Sequence, residues 1–172
     1  MNNFLRTAAL LAFCYLFTFT ASAQNLKFDE LKTSFTAQNY PEGLFEMVEA
    51  KGFYRVDKQY LPYCDRVIYA YVKNDRPVMF VNPVVCPKPQ RSEIFPMKVK
   101  NELELQYQKT GRPQFESLHE QIRKTCKALP DENGTVPGPK SKTTKRAYRH
   151  EASGITFVVI NTAPVAYIYL LK

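Results

Sequence analysis

The chain has 172 residues, 45% of them hydrophobic and 23% charged, with a formal net charge of +8. That mixture excludes a disordered polyelectrolyte and points to a globular core. With only six glycines a backbone-lined phosphate cradle is hard to build, and no nucleotide-loop, zinc-protease, calcium-loop or serine-hydrolase motif occurs.

Residues 1–23 read as a secretory signal peptide. Arg6 supplies the positive n-region, Ala8 to Phe19 the apolar stretch, and Ala21-Ser22-Ala23 the small-x-small pattern that leaves Gln24 as the new N-terminus. Thr18, Thr20 and Ser22 argue against an uncleaved anchor, because they weaken the far end of a span that needs about 20 apolar residues. The bulky Phe13 argues against lipidation at Cys14. The expectation is a secreted or periplasmic protein, with 24–172 as a single domain and no transmembrane segment after cleavage.

Phe28, Leu31 and Phe35 recur at spacings of three and four and predict a helix over 26–38. Pro41 suits the first turn of a second helix, running to about Lys51 with Leu44, Met47 and Val48 on one face. Gly52 then serves as a left-handed cap. Strands are predicted at 53–56, 66–73 and 78–82, the last two as a hairpin about Asn74-Asp75-Arg76-Pro77. Pro83, Pro87, Pro89 and Pro96 predict a stiff surface connector over 83–96, since each proline removes a ladder donor.

A half-buried strand follows at 99–108, with Glu102 and Glu104 on its wet face. Residues 114–129 form the clearest helix, with Phe115, Leu118, Ile122, Cys126 and Leu129 as its apolar stripe. A loop rich in proline and glycine is expected over 130–144, and strands at about 145–151, 155–160 and 165–171. The last two should form a meander at the heart of the sheet. Without βαβ alternation, the class is α+β: an antiparallel sheet with two or three helices packed on one face. Each half reads as helix followed by antiparallel strands, an order that suggests duplication without residue-level identity to support it.

Of the four cysteines, Cys14 falls in the leader. An oxidising compartment permits disulfides, and Cys64–Cys86, flanking the predicted hairpin, is the preferred bridge. Cys126, on the helix stripe, reads as a buried inert thiol. The cysteine spacing does not suit zinc, and neither metal nor cofactor is implied. His119 reads as a partly buried, hydrogen-bonded side chain rather than a catalytic base.

No convergent set of catalytic groups emerges, so no catalytic residue is assigned. The strongest feature outside the core is a cationic cluster: Lys140, Lys142, Lys145, Arg146 and Arg149, with Tyr148 as a stacking or packing residue. Strand alternation would put Lys145 and Arg149 on one face and Arg146 and Tyr148 on the other. Such a cluster binds anions or a partner, or else simply blunts an exposed sheet edge.

The leading expectation is an exported, non-enzymatic binding domain that engages a protein or an anionic envelope polymer, with no intracellular nucleic acid as partner. One alternative is a hydrolase of cell-wall or polysaccharide substrate, which a cleft holding two carboxylates, one with a raised pKa, would favour. Another is a structural envelope subunit pairing through its tyrosine-rich strands.

Overall fold

The computed structural model describes residues 25–61, 63–135 and 143–172. The expected leader, and Lys140 and Lys142, lie outside the described residues. The described residues begin with two short helices, α1 at Phe28–Thr36 and α2 at Glu42–Ala50. Gly52, at φ +83°, turns the chain out of α2, as the sequence predicts. Four strands follow: β1 at Tyr54–Tyr60, β2 at Asp65–Lys73, β3 at Arg76–Arg91 and β4 at Lys98–Tyr107. A 3-10 turn at Lys109–Gly111 leads into α3 at Arg112–Thr125. Four more strands complete the chain: β5 at Lys127–Thr135, β6 at Thr144–His150, β7 at Ile155–Asn161 and β8 at Ala166–Leu171.

The eight strands among the described residues form one antiparallel sheet in the order β1-β2-β3-β4-β8-β7-β6-β5. That order is symmetric about the β4–β8 seam. Each half runs from helix into a four-stranded meander, and the two meanders meet at their last strands.

The main buried cluster joins Phe28, Leu31 and Phe35 of α1, Leu44 and Val48 of α2, and Phe115, Leu118 and Ile122 of α3 to sheet residues that include Leu103, Leu105, Phe157 and Ile168. Complete burial of side chains of this size contributes about 1.5–3 kcal/mol each. These helix residues are the ones the 3.6-residue periodicity selects, so here amphipathicity and tertiary packing agree.

The β2–β3 hairpin closes through Asn74 and Asp75, at φ 51° and 58°. Two successive left-handed residues match the twist of the flanking strands, and Asn and Asp tolerate that region better than other side chains.

Three expectations are corrected. Residues 83–96 are not wholly a connector, because β3 continues to Arg91. Its register with β2 passes from Arg66↔Val84 to Tyr69↔Val81, with Pro83 in the gap, and pairing with β2 ends at Asp65↔Val85. Pro87 and Pro89 fall between the β4 pairs Val85↔Asn101 and Gln90↔Val99, where the register shifts. The missing donors therefore lie where the ladder does not need them.

The second correction is at the helix end. α3 stops at Thr125, and Cys126 is extended at φ −112°, ψ 149°. Residues 127–135 pair with β6 instead of forming helix and loop, with a register shift between Leu129 and Gly134. Pairing across the sheet overrides the local helical pattern. Third, β6 is not an edge strand, since β5 covers it.

Cys64 and Cys86 form a disulfide with a Cα–Cα distance of 4.2 Å. They sit one step beyond the last β2–β3 pair, Asp65↔Val85, where opposed strand positions bring their Cβ atoms together. Among the described residues, no helix is long and apolar enough to cross a membrane.

Candidate functional site

Alternation along β4 sends Leu103 and Leu105 to one face and Glu102 and Glu104 to the other. The register extends the glutamate face into two transverse rows. One runs Arg66, Val84, Glu102, Leu171; the next runs Asn82, Glu104, Tyr169, Val158.

Polar groups on this face are held in place by one another. Asn82 is buried, and its Nδ2 donates to Glu104 Oε1 at 2.8 Å. Its Oδ1 is buried without a partner, as is Arg66 Nε in the neighbouring row. The Ser92 hydroxyl donates to Glu102 Oε2 at 3.3 Å. Ser92 reaches Glu102 because the chain between β3 and β4 folds back: its N–H donates to the Met97 carbonyl at 2.9 Å, and the Ile94 N–H donates to its hydroxyl at 3.2 Å. Ile94, Phe95 and Met97 then pack on a second buried cluster of Val99, Val158, Tyr169 and Leu171.

Beside this flap lies a cavity of ≈ 520 Å³, lined by Arg66, Arg91, Ser92, Glu102, Glu104 and Tyr169 among others. A groove of ≈ 710 Å³ adjoins it at the disulfide, with Tyr63, Asp65, Lys88 and Lys100 on its walls. Leu61, Cys64, Cys86 and Gln90 border both.

Burial pushes the Glu102 carboxyl above the usual carboxylate range. The Ser92 hydrogen bond opposes that rise, the Glu104 charge adds to it, and Arg66 opposes it again. Burial, and after it the Glu104 carboxylate, raise the Tyr169 phenol well above its ordinary value. The site thus offers one carboxyl that keeps its proton longer than usual, a second carboxylate beside it, and guanidinium groups at the rim. It can hydrogen-bond a polar surface of mixed charge. Among the described residues, no three His, Cys, Asp or Glu side chains gather closely enough to hold a metal ion.

Of the described cationic residues, Lys145 and Arg149 fall on the glutamate face and Arg146 on the other, as strand alternation predicts. Lys145 lies over the Phe95 ring at 5.9 Å, on the glutamate face. Arg149 is exposed, opposite Lys127 in the β5–β6 ladder. Tyr148 points the other way: it is 4% exposed and its hydroxyl lies 3.1 Å from His119 Nε2. Its ring is thereby part of the core and has no face open for stacking on a ligand. Arg146 is exposed and close enough to His119 to help hold that imidazole neutral, after burial and Arg123. Cys126 is a free thiol packed against the main core, and burial raises its pKa to about 11.

Asn82, Arg66, Ser92 and Tyr169 were not singled out by sequence reasoning. Asn82 carried a signal, as a lone amide in the strand Val78-Met79-Phe80-Val81-Asn82. Ser92 carried none, because its position depends on how the flap folds.

Comparison of the chain with known protein families, with curated proteins and with solved structures finds no match.

Proposed function

We propose that the protein is an exported binding domain that engages a partner protein at the disulfide end of the sheet. The helices, read as packed on the leucine face of β4, leave the glutamate face and the β1 edge for recognition. Export rests on the leader pattern of residues 1–23 and is supported by the Cys64–Cys86 bridge, since disulfides persist in oxidising compartments.

One observation carries the choice of surface. The exposed large hydrophobics among the described residues are Tyr54, Val56, Tyr60 and Tyr63, all on β1 or the turn after it. Tyr60 and Tyr63 are 77% and 73% exposed. Tyrosine and arginine dominate the energetics of protein interfaces, and the adjoining cavity contributes Arg66 and Arg91. Among the described residues β1 is a terminal strand of the sheet, and one side of its backbone has no strand partner there. The mixture of Glu93, Glu102 and Glu104 with these arginines suits a protein surface better than a uniformly anionic polymer.

The test is capture from the source organism's envelope or secreted fraction, with wild type beside Tyr60→Asp/Tyr63→Asp and beside Lys145→Glu/Arg149→Glu. A protein retained by wild type and by the lysine–arginine variant, and lost with the tyrosine variant, is the expected result. Loss with the lysine–arginine variant alone would move recognition to β6.

A second reading is favoured by the Glu102 and Glu104 pair in one cavity, with the Glu102 pKa raised: hydrolysis of a cell-wall or polysaccharide substrate, Glu102 acting as general acid. Wild type that releases reducing ends from cell-wall glycan, beside an inactive Glu102→Gln, would establish it.

A further inference from the structure

The groove of ≈ 710 Å³ at the disulfide is apolar and positively charged at once. Leu61, Val85, Pro87 and the Cys64–Cys86 bridge give it an apolar lining, beside the exposed ring of Tyr63. Lys88 and Lys100 are its cations. Among the described residues Asp65 is the one carboxylate lining it, and Lys58 Nζ lies 3.5 Å from that group. Glu93, Glu102 and Glu104 line the adjoining cavity and not this groove.

The positive charge extends past the groove. Arg91 and Lys98 stand opposite one another in the β3–β4 ladder, a relation in which like charges destabilise a sheet. Lys88 falls in the register gap between Val85 and Gln90, where no β4 residue is paired with it. All four cations are exposed, and the ion pairs formed among the described residues include none of them. Lys98 and Lys100 flank the buried Val99, so alternation puts them on one side of β4, about 7 Å apart.

We infer that the partner presents an extended acidic segment to this groove. An apolar side chain of the segment covers the disulfide and its apolar neighbours, and Asp or Glu carboxylates at alternate positions meet the lysines. The inference rests on the reading of the disulfide end as a partner-binding surface, and adds the partner's chemistry. Charge complementarity carries it. An extended chain repeats its side chains at the same spacing of about 7 Å, so carboxylates two residues apart meet Lys98 and Lys100 together. One compact phosphate does not reach cations spread in this way. The apolar lining favours a peptide over an acidic polysaccharide, which has no large apolar side chain to bury.

Selection from a random peptide library displayed on phage tests this, with wild type beside Lys88→Glu/Lys100→Glu and Tyr60→Asp/Tyr63→Asp. All four positions are exposed, so the replacements leave the core intact. Wild type is expected to enrich peptides with Asp or Glu at alternate positions around an aromatic or aliphatic residue. Synthetic copies should bind the lysine variant about tenfold or more weakly, since reversal sets like charges together. Their binding to wild type should also weaken as salt is raised. Enriched peptides without acidic bias, held alike by wild type and the lysine variant and lost by the tyrosine variant, would overturn the inference and leave the binding surface standing. Peptides held equally by all three proteins would overturn both. If no peptide is enriched the inference is also overturned, and heparin retained by wild type and lost by the lysine variant would then assign the groove to an anionic polymer.

Discussion

Asn82 and Glu104 face each other across the β3–β4 ladder, joined by a 2.8 Å hydrogen bond from a side-chain amide that is 6% exposed to a carboxylate on the same face as Glu102. Removing the amide strands the carboxylate oxygen, so Asn82→Ala should cost about 1.5–3 kcal/mol, the range for a hydrogen bond to a charged group. Asn82→Asp should cost more at pH 7, because it sets two carboxylates opposite one another. Urea unfolding of the two variants checks the order, and the aspartate variant's excess loss should shrink as acid neutralises the pair.

Glu102 makes a pH-dependent prediction. Its folded pKa lies above the ordinary 4.5, chiefly through burial. The folded protein therefore holds this proton more tightly than the unfolded chain does. The stability it contributes is complete below the ordinary value and is lost as pH rises through the folded value. Glu102→Gln cannot ionise and should be more stable than wild type at pH 7, the difference disappearing below about pH 4. Thermal unfolding across that range reads the effect, and a variant less stable than wild type at pH 7 would refute it.

Gly111 is needed for space. A Cβ there would collide with the Val78 carbonyl oxygen, and that same carbonyl accepts the Gln108 N–H. The obstacle is backbone, so it cannot rotate away. Gly111→Ala should destabilise by about 1–3 kcal/mol, as overpacking does. Its measurable sign is a lower urea midpoint with an unchanged slope.

The Cys64–Cys86 bridge closes a sequence separation of 22 residues. On the chain-entropy account a loop of this size is worth about 3 kcal/mol. Cys64→Ser/Cys86→Ser should unfold at correspondingly lower denaturant, and reducing agent should move wild type toward the variant while leaving the variant unmoved.

Elements with strong periodicity were legible locally. Phe28, Leu31 and Phe35, like Phe115, Leu118 and Ile122, mark buried helix faces by spacing alone, and all six are in the main core. The hairpin about Asn74-Asp75 was legible for the same reason, since the turn chemistry lies in adjacent residues. Pairing partners were not. β5 was hidden because Lys127 to Leu129 continue a helical pattern that only β6, across the sheet, overrides. The extension of β3 was hidden because its prolines are acceptable only if their missing donors meet gaps in the ladder, a property of two strands together. The polar face was half legible: alternation puts Glu102 and Glu104 side by side, but Ser92 reaches them through a fold-back of the chain that has no periodic signature.

The sequence by itself determined the antiparallel, mixed helix-and-strand character and the strand–turn–strand order of the hairpin, because hydrophobic period and turn residues act over a few neighbouring positions; the Cys64–Cys86 bridge it only preferred, and the fold brings the two together. Only the tertiary structure decided which strands stand next to one another. That ordering is set by burial of the whole apolar face at once. It placed Tyr148 in the core, set Lys145 over the Phe95 ring, and assembled cavities from Arg66, Ser92 and Glu102 at one end and from Lys73, Arg76 and Gln114 at the other.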